Sequence, residues 1–147
     1  MKSSFRFPLE TVLRVRRLRE EQARLELAQA QGQLARSYQA LKETEILIRR
    51  VSAAFKERAS RLWTAPDYQM VFRYLEHLKV SLQGWQERIA QEEAWVREKL
   101  KLLEQRHQEC RLLERLREKK YAEFRRDLAS YLESQTEAMV LARWSRF

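Results

Sequence analysis

Glycine and proline are almost missing from this chain. Among 147 residues there are two of each: Gly32 and Gly84, Pro8 and Pro66. Tight turns lean on both residue types, so a fold of many short elements is excluded. Cysteine occurs once, at Cys110. No intrachain disulfide can form, and one thiol in an apolar row is most simply a small hydrophobe. Nothing calls for an oxidising compartment. His77 and His107 each lack a second histidine at metal-ligand spacing. His107 and Cys110 lie three residues apart on one helix face, but two ligands do not make a site. No apolar run approaches about 18 residues, so no segment reads as a membrane span. The opening Met-Lys-Ser-Ser-Phe-Arg-Phe-Pro has no apolar h-region, and a cytoplasmic protein is expected. The glycines stand alone, so no phosphate-cradling loop exists.

What remains is charge and helix formers. Charged residues make up 35% of the chain, with a net charge of +9. Alanine, glutamate, arginine, leucine and glutamine dominate, as in long helices and coiled coils. The aliphatic and aromatic content is too high for a disordered chain.

Pro66 is the only proline after Pro8. Inside a helix it removes a hydrogen bond and clashes with the preceding turn; just inside a helix start it is favoured. Thr64 and Asp67 stand at capping-box spacing around it. One helix is therefore expected over about residues 9–62, a break at 63–67 and a second helix over about 67–144. So short a break makes the two antiparallel. The expected fold is all-α: a single coiled-coil domain, 1–147, of two long helices with the second longer. Two helices enclose a seam, not a deep pocket. Carboxylate pairs for acid–base chemistry need a cleft. The chain reads as a non-enzyme with no cofactor, metal or catalytic residue.

The first helix carries a seven-residue row: Leu13, Glu20, Leu27, Leu34, Leu41, Ile48, Phe55 and Leu62. Three residues on from each lies a smaller row: Arg16, Ala23, Ala30, Ser37, Thr44, Val51 and Arg58. These are a and d positions of a left-handed coiled coil. In the second helix the seam row is Leu75, Leu82, Ile89, Val96, Leu103, Cys110, Arg117, Phe124 and Tyr131. Its companion row is Val71, Leu78 and Trp85 early, then Leu100, His107, Tyr121 and Leu128 later. That change predicts a stripe drifting round the helix, with packing closest near the break and looser toward the termini.

The helices differ in length, roughly 80 Å against roughly 115 Å at 1.5 Å per residue. Pairing from the break sets Leu13 near residue 116 and leaves the last 25–30 residues, roughly, overhanging. That overhang is apolar, with Phe124, Leu128, Tyr131, Leu132, Met139, Val140, Leu141, Trp144 and Phe147. An apolar single helix in water is marginal or is buried by a partner, the alternatives being a dimer through the overhang or a helix that folds back. A second apolar stripe, Val15, Leu18 and Leu25, lies beside Arg14, Arg17 and Arg24. It reads as packing or as a docking surface on a basic background.

Charge is uneven: residues 1–62 carry +7, residues 63–110 carry −1 and residues 111–147 carry +3. A hairpin makes the termini end basic and favours acidic partners. Nucleic acid is one candidate for Arg14, Arg16, Arg17, Arg19 and Arg24 with Arg111, Arg115, Arg117, Lys119, Lys120, Arg125 and Arg126. Glu20, Glu21, Glu114, Glu118 and Glu123 interrupt them, unlike the cleaner basic-region helices that enter a DNA groove.

The opening Phe5-Arg6-Phe7-Pro8-Leu9-Glu10-Thr11-Val12-Leu13-Arg14-Val15-Arg16, followed by Glu20-Glu21-Gln22-Ala23-Arg24, resembles the N-terminal signature of the FliJ family. Members serve the bacterial flagellar type III export apparatus. The likeness extends over the whole chain in length, break position and longer second helix. It implies a stalk-like antiparallel coiled coil in the export ATPase hexamer that also binds the cytoplasmic domain of the export gate protein FlhA. It further implies escort of export chaperones, no nucleic-acid partner, and membrane association only through partners. The family's gate-contact spacing falls on Val71, Leu75, Leu78 and Leu82, with Phe72 beside them and off the seam. For the ATPase ring the expectation is Arg14, Arg17, Leu18, Leu25, Arg115, Lys119 and Lys120. A free basic adaptor for nucleic acid or anionic membrane, or the equivalent stalk of a virulence-type system, is the alternative.

Overall fold

A computed structural model describes residues 4–58 and 63–146. It contains two α-helices, α1 (Glu10–Arg58) and α2 (Ala65–Ser145), packed against each other, with α2 much the longer. The expected end of the first helix, at Leu62, lies outside the described residues.

Local chemistry accounts for both helix starts. Ahead of α1, Pro8 and Leu9 form a turn in which the Glu10 amide donates to the Phe7 carbonyl at 3.1 Å. Glu10 then places an acid in the first turn, where the helix dipole favours it. Ahead of α2, the Thr64 amide and hydroxyl both donate to one Asp67 carboxylate oxygen at 2.9 Å. This is a capping box: the third helical residue satisfies the cap residue's own amide. It tolerates Pro66, whose missing N–H is in the first turn, where amides have no helical partner.

The chain forms two compact units, residues 1–23 with 103–147 and residues 24–102. In the second of these, Lys99 pairs with Glu26 at 3.1 Å and Gln33 reaches Glu92 at 3.5 Å. Seven residues on along α1 is seven back along α2, so the pairing is antiparallel. Where the helices meet the break, Phe55 stands edge-on to Trp63, Tyr68 and Phe72, with ring centroids 5.6–5.7 Å apart.

In the first unit, Glu10 pairs with Arg117 at 2.9 Å and Glu20 with His107 at 2.8 Å. Ten residues on is ten back, again antiparallel. Arg16 meets Glu109 at 2.7 Å within the same ladder. Such part-exposed pairs contribute at most about 1 kcal/mol each. Their consequence is register more than stability.

The buried residues follow the a and d rows of α1: Leu13, Glu20, Ala23, Leu27, Ala30 and Ser37. Packing is not closest near the break, as the periodicity suggested. There Ile48, Val51 and Phe55 are only half-buried, while Ala23, Ala30 and Ser37 are covered almost completely. Small side chains vanish beneath the facing helix, and bulky ones hold part of their surface in solvent.

The expected drift of the α2 stripe also fails. Leu100, His107 and Tyr121 are exposed, and Leu128 alone of that row is half-buried. The companion row keeps its early register instead, through Glu92, Lys99, Arg106 and Leu113. Three of these four are charged. Long charged side chains cover a seam with their stems while their heads reach partners, so apolar periodicity alone points to the wrong row.

Beyond Leu128 the helix is unaccompanied: every residue from 129 to 146 is exposed. The overhang expected from the unequal helix lengths is therefore present.

Candidate functional site

The first unit carries most of the basic residues singled out by sequence. Arg14, Arg17, Arg115, Lys119 and Lys120 are all exposed there. Arg17 leans to Glu114 at 3.5 Å and Lys120 to Glu123 at 3.5 Å. Arg14, Arg115 and Lys119 have no ion-pair partner among the described residues. Leu18, in the same unit, is 66% exposed. Leu25 belongs to the other unit and is also exposed.

The early α2 residues divide by face. Leu78 is buried in the seam, and Val71, Leu75 and Leu82 are half-buried. Phe72 is 57% exposed, touching Phe55 by one edge and leaving the rest open. Of the five, it is the one that offers surface.

The stretch before α1 makes a cleft that sequence reasoning did not foresee. Phe5 stands edge-on to Tyr121 at 5.2 Å and tilted on Phe124 at 5.6 Å, with the Arg117 guanidinium 5.7 Å from its ring centre. The segment leaves a cleft of about 590 Å³ against α2, lined by Phe5, Phe7, Pro8, Leu116, Lys120 and Phe124 among others. Phe5 and Phe7 before the proline, with Tyr121 and Phe124 three residues apart, were the available signals. The cleft is open-sided, and its charged rim of Lys120, Glu123 and Asp127 holds no nucleophile beside a base.

Two polar clusters interrupt the seam. In the first unit, Cys110 is 2% exposed, and its thiol donates to Glu114 at 3.6 Å. Burial, together with the Glu114 and Glu20 carboxylates, pushes that thiol up to about 11. For Glu114, burial opposes the charge, but hydrogen bonds from Arg111 and Cys110 and the charges of Arg17 and Arg111 outweigh it, and the net direction is down. A thiol so protonated is neither a nucleophile nor a ready metal ligand. In the second unit, Ser37 Oγ and Glu92 Oε2 are buried without a well-formed hydrogen bond. Burial again opposes charge on Glu92, but the Ser37 hydroxyl, Arg88 and Gln33 around it outweigh it and hold it below the usual glutamate range. Among the described residues no group of three or more histidine, cysteine or acidic side chains could hold a metal. No described helix is long and apolar enough to cross a membrane.

The described residues form an antiparallel helix pair with a longer second helix, and among them no catalytic constellation is assembled. The family model for the flagellar FliJ protein matches residues 5–131. The chain belongs to the FliJ family. No curated protein and no solved structure shows significant similarity to it. FliJ proteins are non-enzymatic components of flagellar protein export. The family match ends within the unaccompanied part of α2, leaving about the last four turns of the helix outside.

Proposed function

We propose that this FliJ-family chain is a stalk-like component that binds the export ATPase ring and the FlhA export gate and escorts export chaperones. The observation that carries the reading is the tip of α2. Met139 is 66% exposed, Val140 49%, Leu141 69% and Trp144 78%. At 100° per residue these side chains span about 200° of the circumference, and Ala138 and Ala142 lie in the remaining arc. A helix apolar all round is stable when protein surrounds it. A flat partner covers one side; the opening of a ring covers all of them.

Arg14, Arg17, Leu18, Arg115, Lys119 and Lys120 are the further ring-facing residues of this proposal, with Leu25 on the adjoining length of α1. Their cations draw an acidic ring opening toward the helix tip and speed encounter. No residue performs chemistry in this account. Stimulation of the ATPase follows if the helix binds one arrangement of the ring more tightly than another, which shifts the ring's population toward it. For the gate, the Val71, Phe72, Leu75, Leu78 and Leu82 face is proposed with Phe72 as the anchor, since an exposed aromatic on a rigid helix loses little entropy on docking. Membrane association comes through these partners.

The test is a pull-down with the full chain as bait in flagellated cell lysate, after nuclease treatment and at moderate salt. Recovery of the export ATPase and the gate protein supports the reading. Recovery of neither, with nucleic acid or anionic vesicles retained in a strongly salt-dependent way, supports a basic adaptor instead.

A further inference from the structure

One face of α2 lies outside the seam and shares only Arg115, Lys119, Val140 and Trp144 with the ring reading. It comprises Arg115, Lys119, Ala122, Arg126, Ala129, Ser130, Glu133, Glu137, Val140 and Trp144. Every one of these residues is exposed. They recur at three- and four-residue steps, so they form one stripe on the side away from α1. Arg115, Lys119, Arg126, Glu133 and Glu137 have no ion-pair partner among the described residues. Within the helix their spacing is unfavourable: Arg115 with Lys119 and Glu133 with Glu137 are like charges four residues apart.

The order along the stripe is the informative part. Cations fill its first half, small residues its middle, and acids and an exposed tryptophan its second half. A copy of the same stripe laid antiparallel sets its cationic half along the acidic half of the other. With Ala129 facing Ser130, Arg126 falls on Glu133, Ala122 on Glu137, Lys119 on Val140 and Arg115 on Trp144. Small residues stand where the two helices cross closest. Lys119 stands one turn from Glu137, and Arg115 meets an aromatic face suited to a guanidinium. Because the two-fold repeats each match, every favourable pair occurs twice.

We infer that free copies of this protein pair antiparallel through this face of α2, over about 43 Å of helix from Arg115 to Trp144 at 1.5 Å per residue. The occupant is a second copy of this chain rather than nucleic acid or an anionic lipid surface. Both of those would be repelled by Glu133 and Glu137 in the second half of the stripe, and a copy is attracted by them. The pair covers Val140 and Trp144 when no larger partner does, so pairing and insertion of the α2 tip exclude each other. The inference stands on the stripe alone and does not need the ring.

Sedimentation equilibrium on the full chain at low salt tests it, with Arg126→Glu, Glu133→Arg and the double variant. These exposed substitutions leave the seam untouched, and circular dichroism checks that. Concentration-dependent dimers are expected. Each single reversal should weaken association about tenfold, equivalent to about 1.4 kcal/mol, and the double should recover to within about twofold of the parent. A monomer at every concentration up to about 500 µM, at which even a weak, sub-millimolar pairing would register, overturns the inference. So do singles that match the parent, or a double as weak as the singles. Loss of ATPase recovery in a pull-down bears on the ring reading and leaves this result unaffected.

Discussion

Glu20 Oε1 lies 2.8 Å from His107 Nδ1, across the seam between α1 and α2. Glu20 is the one charged member of a heptad row otherwise made of leucine, isoleucine and phenylalanine. A carboxylate in such a place gives up hydration that its partners return only in part. Glu20→Leu should therefore be neutral or stabilising in urea denaturation. His107→Ala leaves the carboxylate in place and removes a partner, and should lower stability by up to about 1 kcal/mol. If Glu20→Leu is the more damaging change, the carboxylate's remaining contacts outweigh its burial.

Cys110 supplies a second expectation. Its thiol is 2% exposed and held up to about 11 by burial and by the two flanking carboxylates. A disulfide reagent at pH 8 should modify it only through unfolding, at a rate that follows added urea. The raised pKa also means that stability is complete below the thiol's unfolded value, near 9, and is lost as pH rises through about 11. Fast modification in the native state would show that the seam opens there.

Acid should loosen the protein from other positions. Asp67 is held down by the Thr64 backbone amide and hydroxyl, and the polar groups around Glu92 and Glu114 hold both down against burial. A group with a lowered folded pKa stabilises above its unfolded value and loses that contribution as pH falls through the folded one. Helicity measured against urea should be flat through neutral pH and fall as pH drops below about 4.5, the ordinary glutamate value. Glu92→Gln should flatten the acid limb; an unchanged limb would assign it to other carboxylates.

Gly32 and Gly84 give the simplest stability test. A Cβ at Gly32 meets only the end of Arg36, 4.0 Å away, and at Gly84 it meets nothing within 4 Å. Gly32→Ala and Gly84→Ala should each raise stability by roughly 0.5–1 kcal/mol, because alanine limits the unfolded chain more. Loss of stability in either variant would reveal a close approach.

Leu13 is wholly buried, although it lies in the first turn of α1. Leu13→Ala should cost about 2–5 kcal/mol, far more than Leu18→Ala five residues on, at an exposed position. Thermal melts of the two variants separate seam from surface directly.

The two-helix fold was legible because Pro66, Thr64 and Asp67 mark one break in an otherwise unpunctuated sequence, and because Leu13, Leu27 and Ala30 keep a strict period. The overhang followed from length alone. The α2 companion row was not legible: Glu92, Lys99 and Arg106 sit where an apolar pattern leaves no trace, and their placement depends on partners across the seam. The cleft under Phe5 was hidden for a related reason, since a segment without periodicity does not announce where it folds back. Phe72 was readable as off-seam, but Leu78 shares the spacing of a contact row while lying buried.

The account rests most heavily on the tip of α2. The direct measurement is the turnover of the export ATPase with the full chain and with a variant carrying Met139→Ser, Val140→Ser, Leu141→Ser and Trp144→Ser. These side chains are exposed, so circular dichroism should show the variant as helical as the parent. The account predicts that the parent raises turnover and the variant loses most of that effect. Equal stimulation by the two, or none by the parent, would contradict it.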